Sequence, residues 1–157
     1  MKIKIQETAT SNFIFEEILL KRRLFSNLVD FNASIPQITY QFQRRSQASP
    51  IKKPFIKVNI KFINVIPLTV LEYQQILTEY LTQIGWDDLQ YIGFINFDLE
   101  QPNVEVDIIF NRVISRRKVI SLQCLGANYK QYQILHECFQ KLLELGCNTN
   151  SKFKIQN

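Results

Sequence analysis

Three carboxylates in one short stretch have the clearest capacity for chemistry. Asp98, Glu105 and Asp107 lie within QYIGFINFDLEQPNVEVDIIFNRV, residues 90–113. Residues 90–97 and 103–113 are rich in aromatic and β-branched types, and 98–102 is turn-like, so the stretch predicts two strands and a connecting turn. Alternation puts Val104, Val106, Ile108 and Phe110 on one strand face and Glu105, Asp107, Ile109 and Asn111 on the other. Two carboxylates two residues apart, with Asp98 as a third oxygen ligand, would suit magnesium or manganese. The plainer expectation, and the preferred one, is a pair of solvated charges on an exposed face.

No other set of side chains makes a convincing catalytic group. His136 is the sole histidine, with no second histidine, cysteine pair or serine motif beside it, so packing or surface is its expected role. Cys124, Cys138 and Cys147 are odd in number and not closely spaced, which indicates neither a zinc cage nor a disulfide framework. Reduced, partly buried thiols are expected, and no cofactor.

The cations are more suggestive. The net charge of +5 is modest, but the positive residues cluster at Lys21–Arg23, Arg44-Arg45, Lys52-Lys53 with Lys57 and Lys61, and Arg116–Lys118. Residues 55–63 read as a strand with Lys57, Asn59 and Lys61 on one face, a surface for phosphates. A wet sheet face, or an edge guarded by lysine, is the simpler account of the same pattern.

The elements that must position these residues follow from periodicity. Residues 2–7 alternate Lys and Ile, as a half-buried strand does. Thr10 or Ser11 is expected to cap a helix running to about Leu24, and residues 25–31 to form a further short strand. A second helix is expected over 36–47, ended by Ser49-Pro50 and a stiff basic connector. Thr69 and Glu72 form a capping box and Gly85 a C-terminal stop, enclosing a stripe of Val70, Tyr73, Leu77, Tyr80, Leu81 and Ile84. Lys118–Leu122 reads as a last strand. A final helix burying Tyr132, Leu135, Phe139 and Leu142 ends before Gly146.

The predicted order, β-α-(β)-α-β-α-β-β-β-α, describes an α+β fold: an antiparallel sheet with helices packed on one side. The chain is expected to be one domain over residues 1–147 with a polar tail over 148–157. No apolar run approaches the roughly 20 residues of a membrane span. MKIKIQETATSNF lacks the apolar centre of a signal peptide, so a cytoplasmic protein is expected.

Several stretches, in order, resemble the relaxase (mobilisation nuclease) domain of plasmid transfer proteins. They are SPIKKPFIKVNIKF, YLTQIGWDDLQYIGF, residues 108–113 with Asn-Arg-Val, residues 118–120, and 129–146; the likeness spans about residues 11–147. The resemblance implies a DNA groove across the sheet, an attacking tyrosine near the N-terminus, and a metal held by three histidines. This chain departs from that pattern at the nucleophile and at every metal-ligand histidine, while Asp98 stands in the place of the motif's aspartate. Asn96 or a neighbour replaces the first histidine, Glu105 and Asp107 stand in place of His-x-His, and Lys57 replaces the strand histidine. Glu16, Glu17 and Ile18 occupy the region of the nucleophile, and no tyrosine precedes Tyr40.

The resulting expectation is a pseudo-relaxase: no catalysis, and DNA, single-stranded or hairpin, as partner. Its phosphate contacts would be Arg44, Arg45, Lys52, Lys53, Lys57, Lys61 and Arg112. One rival is a protein-interaction subunit of the same fold, with Phe25, Phe31, Tyr40 and Phe42 offering apolar contact area. The other is a magnesium- or manganese-dependent nuclease built on Asp98, Glu105 and Asp107.

Overall fold

A computed structural model describes residues 1–9, 21–63, 68–97, 103–120, 131, 133–142 and 144. The strands are β1 (Lys2–Thr8), β2 (Arg22–Asn27), β3 (Phe55–Ile63), β4 (Gln90–Phe97), β5 (Asn103–Asn111), β6 (Val113–Ser115) and β7 (Lys118–Val119). The helices are α1 (Ile35–Ser46), α2 (Val70–Ile84) and α3 over residues 133–142. Five strands form one antiparallel sheet in the order β1-β3-β5-β4-β2, and β6 pairs with β7 separately. The α+β class and the antiparallel sheet are as the periodicity predicts.

Alternation decides what each sheet face does. Ile56, Val58, Ile60 and Phe62 of β3 join Val104, Val106, Ile108 and Phe110 of β5 in the larger core, beneath α2 and α3. α2 starts on the Thr69–Glu72 capping box and stops at Gly85, whose φ of 72° lies in the left-handed region glycine tolerates best. It buries Tyr73, Ile76, Leu77, Tyr80 and Leu81. α3 adds Leu135, Cys138 and Phe139, and the Phe139 ring stacks on Phe62 at 6.0 Å. From α2 the Tyr80 hydroxyl donates to Gln131 Oε1, just ahead of α3, at 2.7 Å, both groups buried.

The opposite face has its own, smaller core, and here the structure differs from a sheet with helices on one side only. Ile38 and Phe42 of α1 pack on Phe55, Ile92, Phe94 and Ile109. Amides fix the helix there: Asn111 Nδ2 donates to Phe42 O at 2.9 Å and to Gln90 Oε1 at 3.0 Å, and Gln90 Nε2 reaches Gln41 O. Phe25 and Phe42 are therefore core residues and offer no apolar contact area.

Two local expectations also change. Arg22–Leu24 belong to strand β2, where a helix reaching Leu24 is expected, and the strand ends at Asn27 rather than near Phe31. The pairing Arg22↔Ile95 to Asn27↔Tyr91 imposes this, and it depends on residues some seventy positions away. The last strand is two residues long. The expected helix start at Thr10 or Ser11, residues Glu16–Ile18, Asp98, Cys124, Tyr132, Gly146, Cys147 and the 148–157 tail lie outside the described residues. No helix among the described residues is long and apolar enough to cross a membrane.

Candidate nucleic-acid interface

Cross-strand register lays out the second sheet face row by row, because directly opposed residues share a face. One row runs Lys2, Lys61, Glu105, Asn96; the next runs Lys4, Asn59, Asp107, Phe94, Arg23. Then come Gln6, Lys57, Ile109, Ile92, Ser26, and last Thr8, Phe55, Asn111, Gln90. The face thus grades from charged at one end to apolar and amide at the other, where α1 covers it.

At the charged end the two carboxylates proposed for a metal are already neutralised. Lys21 Nζ lies 2.5 Å from Asp107 Oδ2 and 3.2 Å from Glu105 Oε2. Lys57 stands 3.5 Å from Asp107 Oδ1, and Lys61 stands 3.6 Å from Glu105 Oε1. Asn59 Nδ2 donates to both, at 2.7 Å to Glu105 and 2.8 Å to Asp107. Asp107 is fully buried, which corrects the expectation of a solvated charge, while Glu105 keeps 29% side-chain exposure. Burial alone would raise the Glu105 carboxyl. The Asn59 hydrogen bond and the charges of Lys21 and Lys61 outweigh it and hold the group below its ordinary value.

Chemically, this is a carboxylate pair saturated by ammonium and amide donors. A divalent ion would have to displace Lys21, and among the described residues no group of three or more His, Cys, Asp or Glu could hold one. Asn96 sits in the Glu105 row and is exposed. His136 is exposed on α3, and Cys138 is buried, its thiol pushed up to about 11 by desolvation and so unreactive.

The cations expected to meet phosphate fall into three groups. Lys57 and Lys61 flank the carboxylates, Lys61 with 55% of its side chain exposed. Arg45 and Arg112 hold the fold together. Arg45 Nε donates to Val113 O at 3.0 Å and Nη2 to Ile114 O at 3.3 Å. Arg112 pairs with Glu7 at 2.6 Å and donates to Lys53 O at 3.1 Å and Ile120 O at 2.8 Å. Arg44, Lys52 and Lys53 are exposed.

Those two structural arginines bring together a surface that single motifs do not reveal. Arg45 ties the C-terminal end of α1 to β6, and Arg112 ties the connector at Lys53 to Ile120, just past β7. Arg44, Lys52 and Lys53 therefore gather with the exposed Arg116, Arg117 and Lys118 of the β6–β7 turn. The nearby carboxylate of Glu7 is taken up by Arg112. Charge runs at 44–45, 52–53 and 116–118 are visible in the sequence; their convergence depends on long-range hydrogen bonds that no local pattern encodes. Lys2 and Lys4, exposed on the edge strand beside Lys61 and Asn59, extend the positive surface across the open sheet.

This chain matches no protein-family model, no curated protein and no solved structure.

Proposed function

We propose that the chain is a catalytically inactive, relaxase-like protein that binds DNA, single-stranded or hairpin, in the cytoplasm as part of a plasmid or mobile-element DNA-processing system. The observation that carries the binding reading is the basic end: six exposed cations on three segments, converging around two arginines already committed to the fold. Cations of that kind meet phosphates at little conformational cost, because the backbone that carries them is fixed. The open sheet face supports the same reading. There Lys2, Lys4, Lys21, Lys57 and Lys61 outnumber Glu105 and Asp107 and leave an excess of positive charge.

The reading as non-catalytic rests on the ammonium of Lys21 between the two carboxylates. General chemistry agrees: a nick through a phosphotyrosine bond needs a positioned nucleophile, and a cation site needs free oxygen ligands. The assignment to a relaxase-like protein rests on the ordered sequence resemblance.

Fluorescence anisotropy with a labelled single-stranded oligonucleotide and a hairpin, at several salt concentrations and with or without manganese, tests this. Expected is binding that weakens steeply with salt, each phosphate contact adding roughly 0.7 to 0.9 to the slope of log K against log salt, with the DNA left intact. Cutting that requires manganese would overturn the inactive assignment in favour of the carboxylate nuclease. Absence of binding at low salt would overturn the DNA reading and favour a protein-interaction subunit.

A further inference from the structure

We infer that Tyr40 is a stacking platform for an unpaired DNA base, with Arg44 meeting the adjoining phosphate; this rests on the DNA-binding reading above. α1 turns Ile38 and Phe42 into the small core, so its outer face carries what remains. On that face Tyr40 is 62% exposed, and Arg44, four residues on and likewise exposed, is its neighbour on the helix surface. One exposed tyrosine is ordinary by itself. Three further features set this one apart.

First, α1 contains no acidic residue; its polar positions are Gln37, Gln41, Gln43, Arg44, Arg45 and Ser46 beside Thr39 and Tyr40. Nothing on the helix repels a phosphate approaching the ring. Second, the helix points into the basic end, since Arg45 fixes its last turn against β6. A strand crossing Tyr40 would meet Arg44 and then the cations at 52–53 and 116–118. Third, the segment before α1 is held along it. Gln41 Oε1 accepts from Asp30 N at 3.1 Å, and Arg23 Nη1 donates to Phe31 O at 2.5 Å, leaving Leu28 and Phe31 exposed on that segment.

An aromatic face beside a basic track is the combination that binds unpaired strands, because every base has a π-face and every nucleotide a charge. Fully paired DNA hides its base faces. The inference therefore separates ligands that the charge alone does not: a single strand, or a hairpin with an unpaired tail, gains from Tyr40, and blunt duplex does not.

The test uses the full chain. Trp86 is the sole tryptophan and 2% exposed, so Tyr40→Trp adds a solvent-facing indole against a buried background. Titration with oligothymidylate should quench and shift that emission. Tyr40→Ala should weaken binding of the single strand roughly tenfold, within the range of base–aromatic stacking, and leave blunt duplex unchanged, while Tyr40→Phe retains affinity. Arg44→Ala should lower the salt slope by about 0.7. Wild-type affinity in Tyr40→Ala, with no quenching in Tyr40→Trp, would overturn the stacking role while leaving DNA binding intact. A wild-type chain that binds no DNA at low salt would remove both together.

Discussion

Lys21 and Asp107, separated by 86 positions in the chain, meet at 2.5 Å beneath the sheet surface, and the same ammonium reaches Glu105 at 3.2 Å. The lysine stands where the two carboxylates would otherwise share a cation. An ion pair of this kind has a sharp mutational signature, since removing one partner leaves an uncompensated buried charge. Lys21→Met should cost about 3 kcal/mol of unfolding free energy, at the low end for such pairs because Lys57 and Asn59 remain on Asp107. The double variant Lys21→Met/Asp107→Asn should recover part of that loss. Urea denaturation of the two single variants and the double gives the coupling; strict additivity would show that the pair is energetically idle.

Divalent ions should leave the wild-type chain unmoved. With Lys21 in place, neither manganese nor a chelator is expected to shift the melting temperature, because no affinity for the folded state means no stabilisation by mass action. A rise in melting temperature with added manganese would show that the carboxylates are open to a metal.

Acid should loosen the charged end of the sheet. The folded Glu105 carboxyl is held below its ordinary value of 4.5, so the stability it contributes is complete above that value and is lost as pH falls through the lower, folded one. Glu105→Gln should therefore be less stable than wild type at neutral pH and should lose the part of the acid dependence below about pH 4.5. Denaturation midpoints between neutral and pH 3 measure this. Parallel curves for the two chains would refute the assignment.

Packing between β2 and β4 leaves no room at Gly93. A Cβ there would lie 2.5 Å from Phe25 Cε1, and the Phe25 ring is itself wedged edge-on against Tyr91 at 5.3 Å. Gly93→Ala is expected to destabilise by about 1–3 kcal/mol, as overpacking does, and Phe25→Leu in the same chain to relieve part of it. Thermal melts of the three proteins decide.

Where the sequence carried its own geometry, it could be read. Thr69, Glu72 and Gly85 mark both ends of α2 through local hydrogen bonds and one left-handed residue, and period two placed Glu105 and Asp107 on one face of β5. The environment of that face was not legible. Whether Asp107 is wet or buried depends on Lys21, Lys57, Asn59 and the seating of α1, with Lys21 and Asn59 lying 86 and 48 positions away. β2 hides for the same reason: Arg22–Leu24 follow a helix-like pattern, and only pairing with β4 makes them a strand. The basic end shows the same limit, since its three charge runs are plain in the sequence and their meeting depends on Arg45 and Arg112.

Strand order also determines how the chain must find its shape. Within the five-stranded sheet β4 and β5 are neighbours in sequence, whereas β1, β2 and β3 each join partners about forty to seventy residues away. Closing such long loops comes before any contact rewards it, so folding should be slow for a chain of this length, in milliseconds to seconds. The Gln90–Asn111 hairpin is the natural nucleus, and β1 and β2, at the two edges, dock late. Ile108→Val should then slow folding, whereas Ile5→Val should chiefly quicken unfolding. Until β1 arrives, the edge of β3 lies open, and newly made chains are exposed during that interval to pairing with one another.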